Sequence, residues 1–298
     1  MQSQQRAPSP TQQFQTRLRP FVKPKIIFGG SVVGLLILVG LLASLIAPFD
    51  PNGQDLERAM RAPTFFAGPH FLGTDALGRD ILSRIFYGAR VSLVIALAVA
   101  GISGMIGITL GAISGYFAGG VDLVVQKAVE VMWAFPPLLF AIAMIAFLGQ
   151  SLPILVIALV LQRWIPFCRV ARAQALSLRS RDFIDAARSL GATHAHILRK
   201  HIVPNLMQTS FVIGTFAMAT AIISEASLSF LGLGVPRSIP TWGSMLADSR
   251  AHISTSWWLP LFPGLFILVT VLGINMLGDG LRDILDPKLN RSGQRSGS

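Results

Sequence analysis

Residues 91–116, VSLVIALAVAGISGMIGITLGAISGY, run for 26 positions without an ionisable side chain. A helix rises 1.5 Å per residue and the hydrocarbon slab of a bilayer is about 30 Å thick, so about 20 apolar residues cross it. This stretch is long enough. Four more charge-free stretches lie on either side of it: Ile26 to Ala47, Val131 to Gly149, Leu206 to Ser224 and Trp257 to Leu277. A sixth, Leu152 to Leu161, is shorter and runs into Gln162 and Arg163, but the apolar run resumes through Trp164, Ile165, Pro166 and Phe167. An arginine near a helix end reaches the interface along its own aliphatic stem. We therefore expect six spans. Backbone amides in hydrocarbon must be satisfied within their own segment, and the strand alternation of a membrane barrel is absent, so the spans are predicted to be helices. The fold class is all-α, polytopic and membrane-embedded.

Composition agrees with that reading. The 298 residues are 52% hydrophobic and 13% charged, about half the charge of an average soluble domain. The formal net charge of +11 could suggest a nucleic-acid partner. Its distribution argues against one. With the N-terminus placed inside, 18 of the 25 Lys and Arg residues fall on the inner side and 7 on the outer, which is the cytoplasmic bias of a membrane protein. The single cysteine, Cys168, supplies neither a disulfide nor a thiolate metal cluster. The first apolar run, 22 residues long, exceeds a signal-peptide core and reads as a retained anchor.

The two ends, 1–24 and 283–298, are polar and basic and are expected to be mobile cytoplasmic tails. Residues 25–90 hold the first span and an external segment. There Ile81, Leu82, Ile85 and Phe86 share one helical face, predicting a helix lying in the interface plane. Residues 91–282 form the remaining core. In its first span Gly107, Gly111 and Gly115, four apart, make a smooth ridge that suits close packing within the molecule or against another helix. Pro136, Pro137, Pro260 and Pro263 permit bends.

The longest inner connection, about Cys168 to Val203, carries two short helical patterns. Ser180 is a candidate N-cap, Asp182 sits where the helix dipole favours negative charge, and Phe183, Ala186, Ala187 and Leu190 recur at helical spacing. Gly191 supplies a left-handed C′ residue, and Thr193 caps a second helix that carries Ile197, Leu198 and His201 and ends before Pro204. A helix, glycine turn, helix element of this kind suits docking into a groove on another protein; the alternative is a solvated loop.

Asp185-Ala186-Ala187-Arg188-Ser189-Leu190-Gly191, followed after nine residues by His201-Ile202-Val203-Pro204, resembles the EAA loop of permease subunits of ABC importers, with Asp185, His201 and Val203 replacing Glu, Ile and Leu. Gly73-Thr74-Asp75, Leu77-Gly78-Arg79-Asp80, Gly88-Ala89-Arg90, Glu225 to Gly234, Trp242-Gly243 and Leu277 to Asp283 resemble, in order, the second permease of dipeptide, oligopeptide and nickel importers. The resemblance implies a type I importer permease fold in a bacterial inner membrane. It further implies that 180–204 fits a cleft on a cytoplasmic ATPase through Phe183, Asp185, Ala186, Ala187, Arg188, Gly191 and Pro204. The implied partners are a homologous permease, two ATP-binding subunits and an external substrate-binding protein. ATP and magnesium would belong to the ATPases, with no cofactor on this chain.

No Gly-Lys pair occurs, so a phosphate-binding loop of the Gly-x-x-x-x-Gly-Lys type is missing from the sequence. His194, His196 and His201 invite a metal reading, but on an α-helix only His194 and His201 share a face, and we expect no metal there. Glu225 and Arg163 are ionisable groups at membrane depth and are candidates for a substrate path; local hydrogen bonding and snorkelling are the competing roles. An intramembrane hydrolase would need a base within the spans, and all five histidines fall outside them. A stand-alone carrier or channel is the other alternative.

Overall fold

The computed structural model describes residues 24–285, which form nine α-helices, two of them separated by the long segment 47–80; no strand occurs among the described residues beyond one isolated bridge between Thr74 and Asp80. The tails expected to be mobile lie outside the described residues, apart from Pro24 and 283–285, which belong to helices. Helix α1 is Pro24–Ile46, α2 Ile81–Phe117, α3 Gly119–Trp133, α4 Pro137–Leu148 and α5 Leu152–Leu178. Helix α6 is Asp182–Ser189, α7 His194–Phe230, α8 Trp242–Ser249 and α9 Trp258–Leu285.

Helix α2 is the axis of the bundle. Its 37 residues reach about 55 Å at 1.5 Å per residue, well beyond the hydrocarbon slab. Asp80 starts it, accepting from the Ser83 amide at 2.8 Å. The expected interfacial helix is therefore not separate: Ile81 and Ile85 are fully buried first turns of α2, packed against Leu72, Met245, Trp258 and Leu259. Their apolar face meets protein, so the continuous helix wins over a surface-lying one.

The glycine ridge packs inside the molecule. A Cβ at Gly107 would strike the Trp164 carbonyl and Phe167, one at Gly111 the Cys168 carbonyl and Ala171, and one at Gly115 the Arg172 carbonyl and Ala175. Only bare backbone permits that approach. Both sequences ascend together, so α2 and α5 run parallel. The chain must consequently return between them, and α3 with α4 does so as one span bent by 81° at the break before Pro137. Pro260, by contrast, falls in the first turn of α9, where its missing N–H costs nothing, and α9 runs on through Pro263.

Helix α1 lies antiparallel to α9, with Gly29 against Leu277 and Lys25 3.6 Å from Asp283. At its other end Gly40 meets Arg90, whose guanidinium donates to the Gly40 carbonyl at 2.7 Å. The first and last described residues thus share the end of the bundle to which α2 delivers Phe117. Segments 47–80 and 231–257 cover the opposite end.

Candidate functional site

The connection expected to begin near Cys168 is shorter than the sequence suggests, because α5 continues helically to Leu178. Helix α6 follows. Its N-cap is Arg181 in extended backbone, and Ser180 instead donates to the Ser177 carbonyl at 3.3 Å. Asp182 and Asp185 occupy the first turn and Arg188 the last, each complementing the helix dipole. Ile184 is wholly buried among Ala112, Tyr116, Ala171, Ala175, Ile197, Ile202 and Leu206. The opposite face is open: Phe183, Asp185, Ala186 and Arg188 are exposed, Ala187 is half-buried and Leu190 is 88% exposed. The stripe that sequence periodicity picks out therefore faces away from the core.

Gly191 closes α6 at φ +80°, with its amide donating to the Arg188 carbonyl and the Ala192 amide to the Ala187 carbonyl. These two bonds make a Schellman cap. A Cβ at Gly191 would meet nothing, so the glycine answers to the left-handed φ alone. Thr193 then accepts from the His196 amide at 3.3 Å and starts α7.

Here the structure corrects the reading of a second helix ending before Pro204. Helix α7 continues from His194 to Phe230, passing through a π turn at Leu198–Ile202 directly ahead of the proline. Pro204 has no N–H for the Lys200 carbonyl and its ring crowds that oxygen; a wider turn gives the backbone room to re-pair. The π turn also changes which histidines meet. His196 and His201, five apart, have ring centroids 6.0 Å apart, whereas His194 turns to Tyr116. Among the described residues no three His, Cys, Asp or Glu side chains converge.

Tyr116, at the last turn of α2, is a residue that motif reading misses. It is buried, its hydroxyl lies 2.8 Å from His194 Nδ1, Arg188 stacks 5.5 Å from its ring centre, and Arg179 donates to its carbonyl at 3.5 Å. A buried phenol needs a polar partner, but no local pattern marks Tyr116 as buried or His194 as that partner. Beside it, Asp122 of α3 accepts two bonds from Arg172 of α5, at 2.5 and 2.6 Å, and one from Ser114 of α2. Residues on both sides of α6 therefore bear on Tyr116, next to the joint of α2, α3 and α5.

The two path candidates part company. Arg163 is half-buried on α5 and donates to Ser224 of α7 at 3.0 Å. Glu225 is 1% exposed, accepts from Ser229 at 2.8 Å and lies beneath Gly243 of α8; its second oxygen has no hydrogen-bond partner among the described residues. No ion pair joins them among the described residues. Glu225 is thus bonded within α7 and packed against α8.

Residues 107–291, which take in the glycine ridge, α6 and all of α9, match the model of the inner membrane component of binding-protein-dependent transport systems. The chain belongs to this family. Such a permease works with a partner permease and ATPase subunits in a multi-pass inner-membrane assembly. A dipeptide transport system permease protein of Alkalihalophilus pseudofirmus is 42% identical over 263 residues, covering 87% of this chain and 86% of the relative. A di/tripeptide transport system permease protein of Pseudomonas aeruginosa is 39% identical, covering 96% and 94%. The permease of an inward-facing MetNI methionine ABC transporter shares the fold at a TM-score of 0.58 and 17% identity, covering 68% of this chain and 97% of that one.

Proposed function

We propose that this permease forms half of the path by which an ATP-driven importer moves short peptides, with its coupling element, 180–204, seated on a separate cytoplasmic ATPase. The names of its relatives support peptide cargo. Both termini lie on the cytoplasmic side in this reading, and an external substrate-binding protein delivers cargo at the opposite end. ATP and magnesium are bound by the partner subunits, and this chain supplies motion and no covalent chemistry.

The observation that carries the reading is the seating of α6. An exposed stripe of Phe183, Ala186 and Leu190, with Asp185 and Arg188 beside it, stands on a helix fixed from behind by Ile184 and Tyr116. Large and small apolar residues side by side suit a groove on a partner. The rotation of a docked α6 passes two ways: through Tyr116 to α2, and through the Gly191 turn into α7, which has no break before the spanning segment. Pro204 and the π turn set the angle at which that second route leaves the loop.

Gly191→Pro tests this. Proline cannot adopt the left-handed φ of the cap, so α6 loses its angle to α7. Reconstituted with its partners in proteoliposomes, the variant should insert normally and hydrolyse ATP while uptake falls at least about tenfold, as expected for loss of a geometric coupling. Undiminished ATP-coupled uptake would refute the role. Uptake by the purified wild-type chain alone, without ATP, would favour a stand-alone carrier.

A further inference from the structure

At the end of the bundle remote from α6, segment 47–80, the first turn of α2 and the region around α8 enclose a cavity of about 980 Å³. Four guanidinium groups line it, those of Arg79, Arg84, Arg237 and Arg250, against two carboxylates, those of Asp75 and Asp248. The lining carries two surplus positive charges. Met245 and Leu259 add apolar wall.

The two inner arginines are not equivalent. Arg79 is paired directly with both carboxylates, Nε 2.6 Å from Asp75 and Nη2 2.9 Å from Asp248. Arg84 is 1% exposed, yet its nearest carboxylate oxygens stand at 3.9 and 4.0 Å. Its Nη1 donates to the Pro51 carbonyl at 3.2 Å, and its Nη2 has no hydrogen-bond partner among the described residues. A desolvated guanidinium with an open donor is costly unless something fills the position. Arg237 stands exposed at the mouth with no ion pair among the described residues, and Arg250 donates to the Phe230 carbonyl at 3.1 Å.

We propose that this cavity receives the terminal carboxylate of a short peptide, with Arg84 as the inner donor and Arg237 and Arg250 drawing the anion in. Guanidinium forks match carboxylates in plane and charge. The volume is that of a small-molecule pocket, and a concave wall with an apolar side suits a peptide of a few residues better than a flat protein surface. The site precedes the membrane-crossing part of α2, where cargo would wait before entering the path. This assignment deepens the peptide reading and rests on it.

The test uses the assembled transporter in nanodiscs, without its external binding protein, titrated calorimetrically with tri-alanine and with tri-alanine amide. Tri-alanine should bind at least about tenfold more tightly than the amide, the worth of one charge-assisted hydrogen bond. Arg84→Gln should abolish that preference. Because Arg84 is buried, the exposed pair Arg237→Gln/Arg250→Gln is measured beside it and should weaken tri-alanine binding about tenfold with folding intact. Equal binding of both peptides, unchanged binding in both variants, or no binding of tri-alanine overturns the proposal. A parallel titration with the external binding protein completes the test: variants that weaken its attachment and leave tri-alanine binding unchanged also overturn the proposal, since the arginines would then serve a protein acid. ATP-driven uptake of tri-alanine by the complete wild-type system separates the two levels: uptake without carboxylate-dependent binding removes the cavity assignment alone, and absent uptake removes the peptide reading.

Discussion

At the scale of single residues, what decides α2 against α5 is the lack of a Cβ. At Gly111 a methyl group would already press into the Cys168 carbonyl and Ala171, and neither backbone can retreat without carrying its helix along. Gly111→Val should therefore lower stability by about 1–3 kcal/mol, the range for overpacking a filled interior, and reduce the melting temperature in detergent. Gly101→Ala, on the same helix but with open space around it, serves as the control and should leave the melting temperature near wild type. The ridge was legible in sequence because its spacing is local. Tyr116 was not legible as a functional position, since its partners lie 63 and 78 residues away. Tyr116→Phe keeps the ring and deletes the bond to His194, so stability should change by about 1 kcal/mol or less. If the phenol carries motion to α2 through His194 at the start of α7, the ratio of peptide imported to ATP hydrolysed should nevertheless fall; an unchanged ratio would reduce the hydroxyl to packing.

At the scale of elements, hydropathy located every span and misplaced several ends. It registers where apolar residues stop, whereas a helix stops where its backbone bonds do. Helix α5 carries Arg169 and Arg172 near its far end, which hydropathy reads as a loop, yet Arg169 stacks 3.3 Å over the Trp133 ring and Arg172 holds Asp122, so the helix continues. Helix α2 starts ten residues before its apolar run because Asp80 caps it there. The helix α8 was not foreseen: its eight residues are started by a capping box of Thr241 and Ser244, and its Trp242 donates to the Ile85 carbonyl at 3.1 Å, a tertiary bond that no local pattern encodes. The π turn before Pro204 belongs with these. Removing the proline removes the reason for the wide turn, so Pro204→Ala should allow ordinary α-helical pairing through 198–202 and swing α6 about the axis of α7. Uptake should fall with thermal stability retained, and paired cysteines placed at His196 and His201 should cross-link more slowly than in the parent.

At the scale of the whole molecule, the parallel run of α2 and α5 carries a consequence that no single span does. Two neighbouring helices that point the same way need a return crossing between them, so the bent α3–α4 pair counts once and the chain crosses six times. Helix α6 and the first and last described residues then share one face, and segments 47–80 and 231–257 share the other. The surplus of lysine and arginine lies with the former, which under the charge rule supports the cytoplasmic placement proposed for it. This orientation is open to direct measurement because the chain has one cysteine and it is buried. Ser238→Cys and Ser180→Cys each place a thiol at an exposed position, on opposite ends of the bundle. A membrane-impermeant maleimide applied to intact spheroplasts should label Ser238→Cys and leave Ser180→Cys unmodified until the membrane is opened. The reverse pattern would put α6 beyond the reach of any cytoplasmic ATPase, and the coupling mechanism would fail with it. Labelling of both in sealed cells would break the six-crossing count itself, since an odd number of crossings between 180 and 238 is what the single helix α7 supplies.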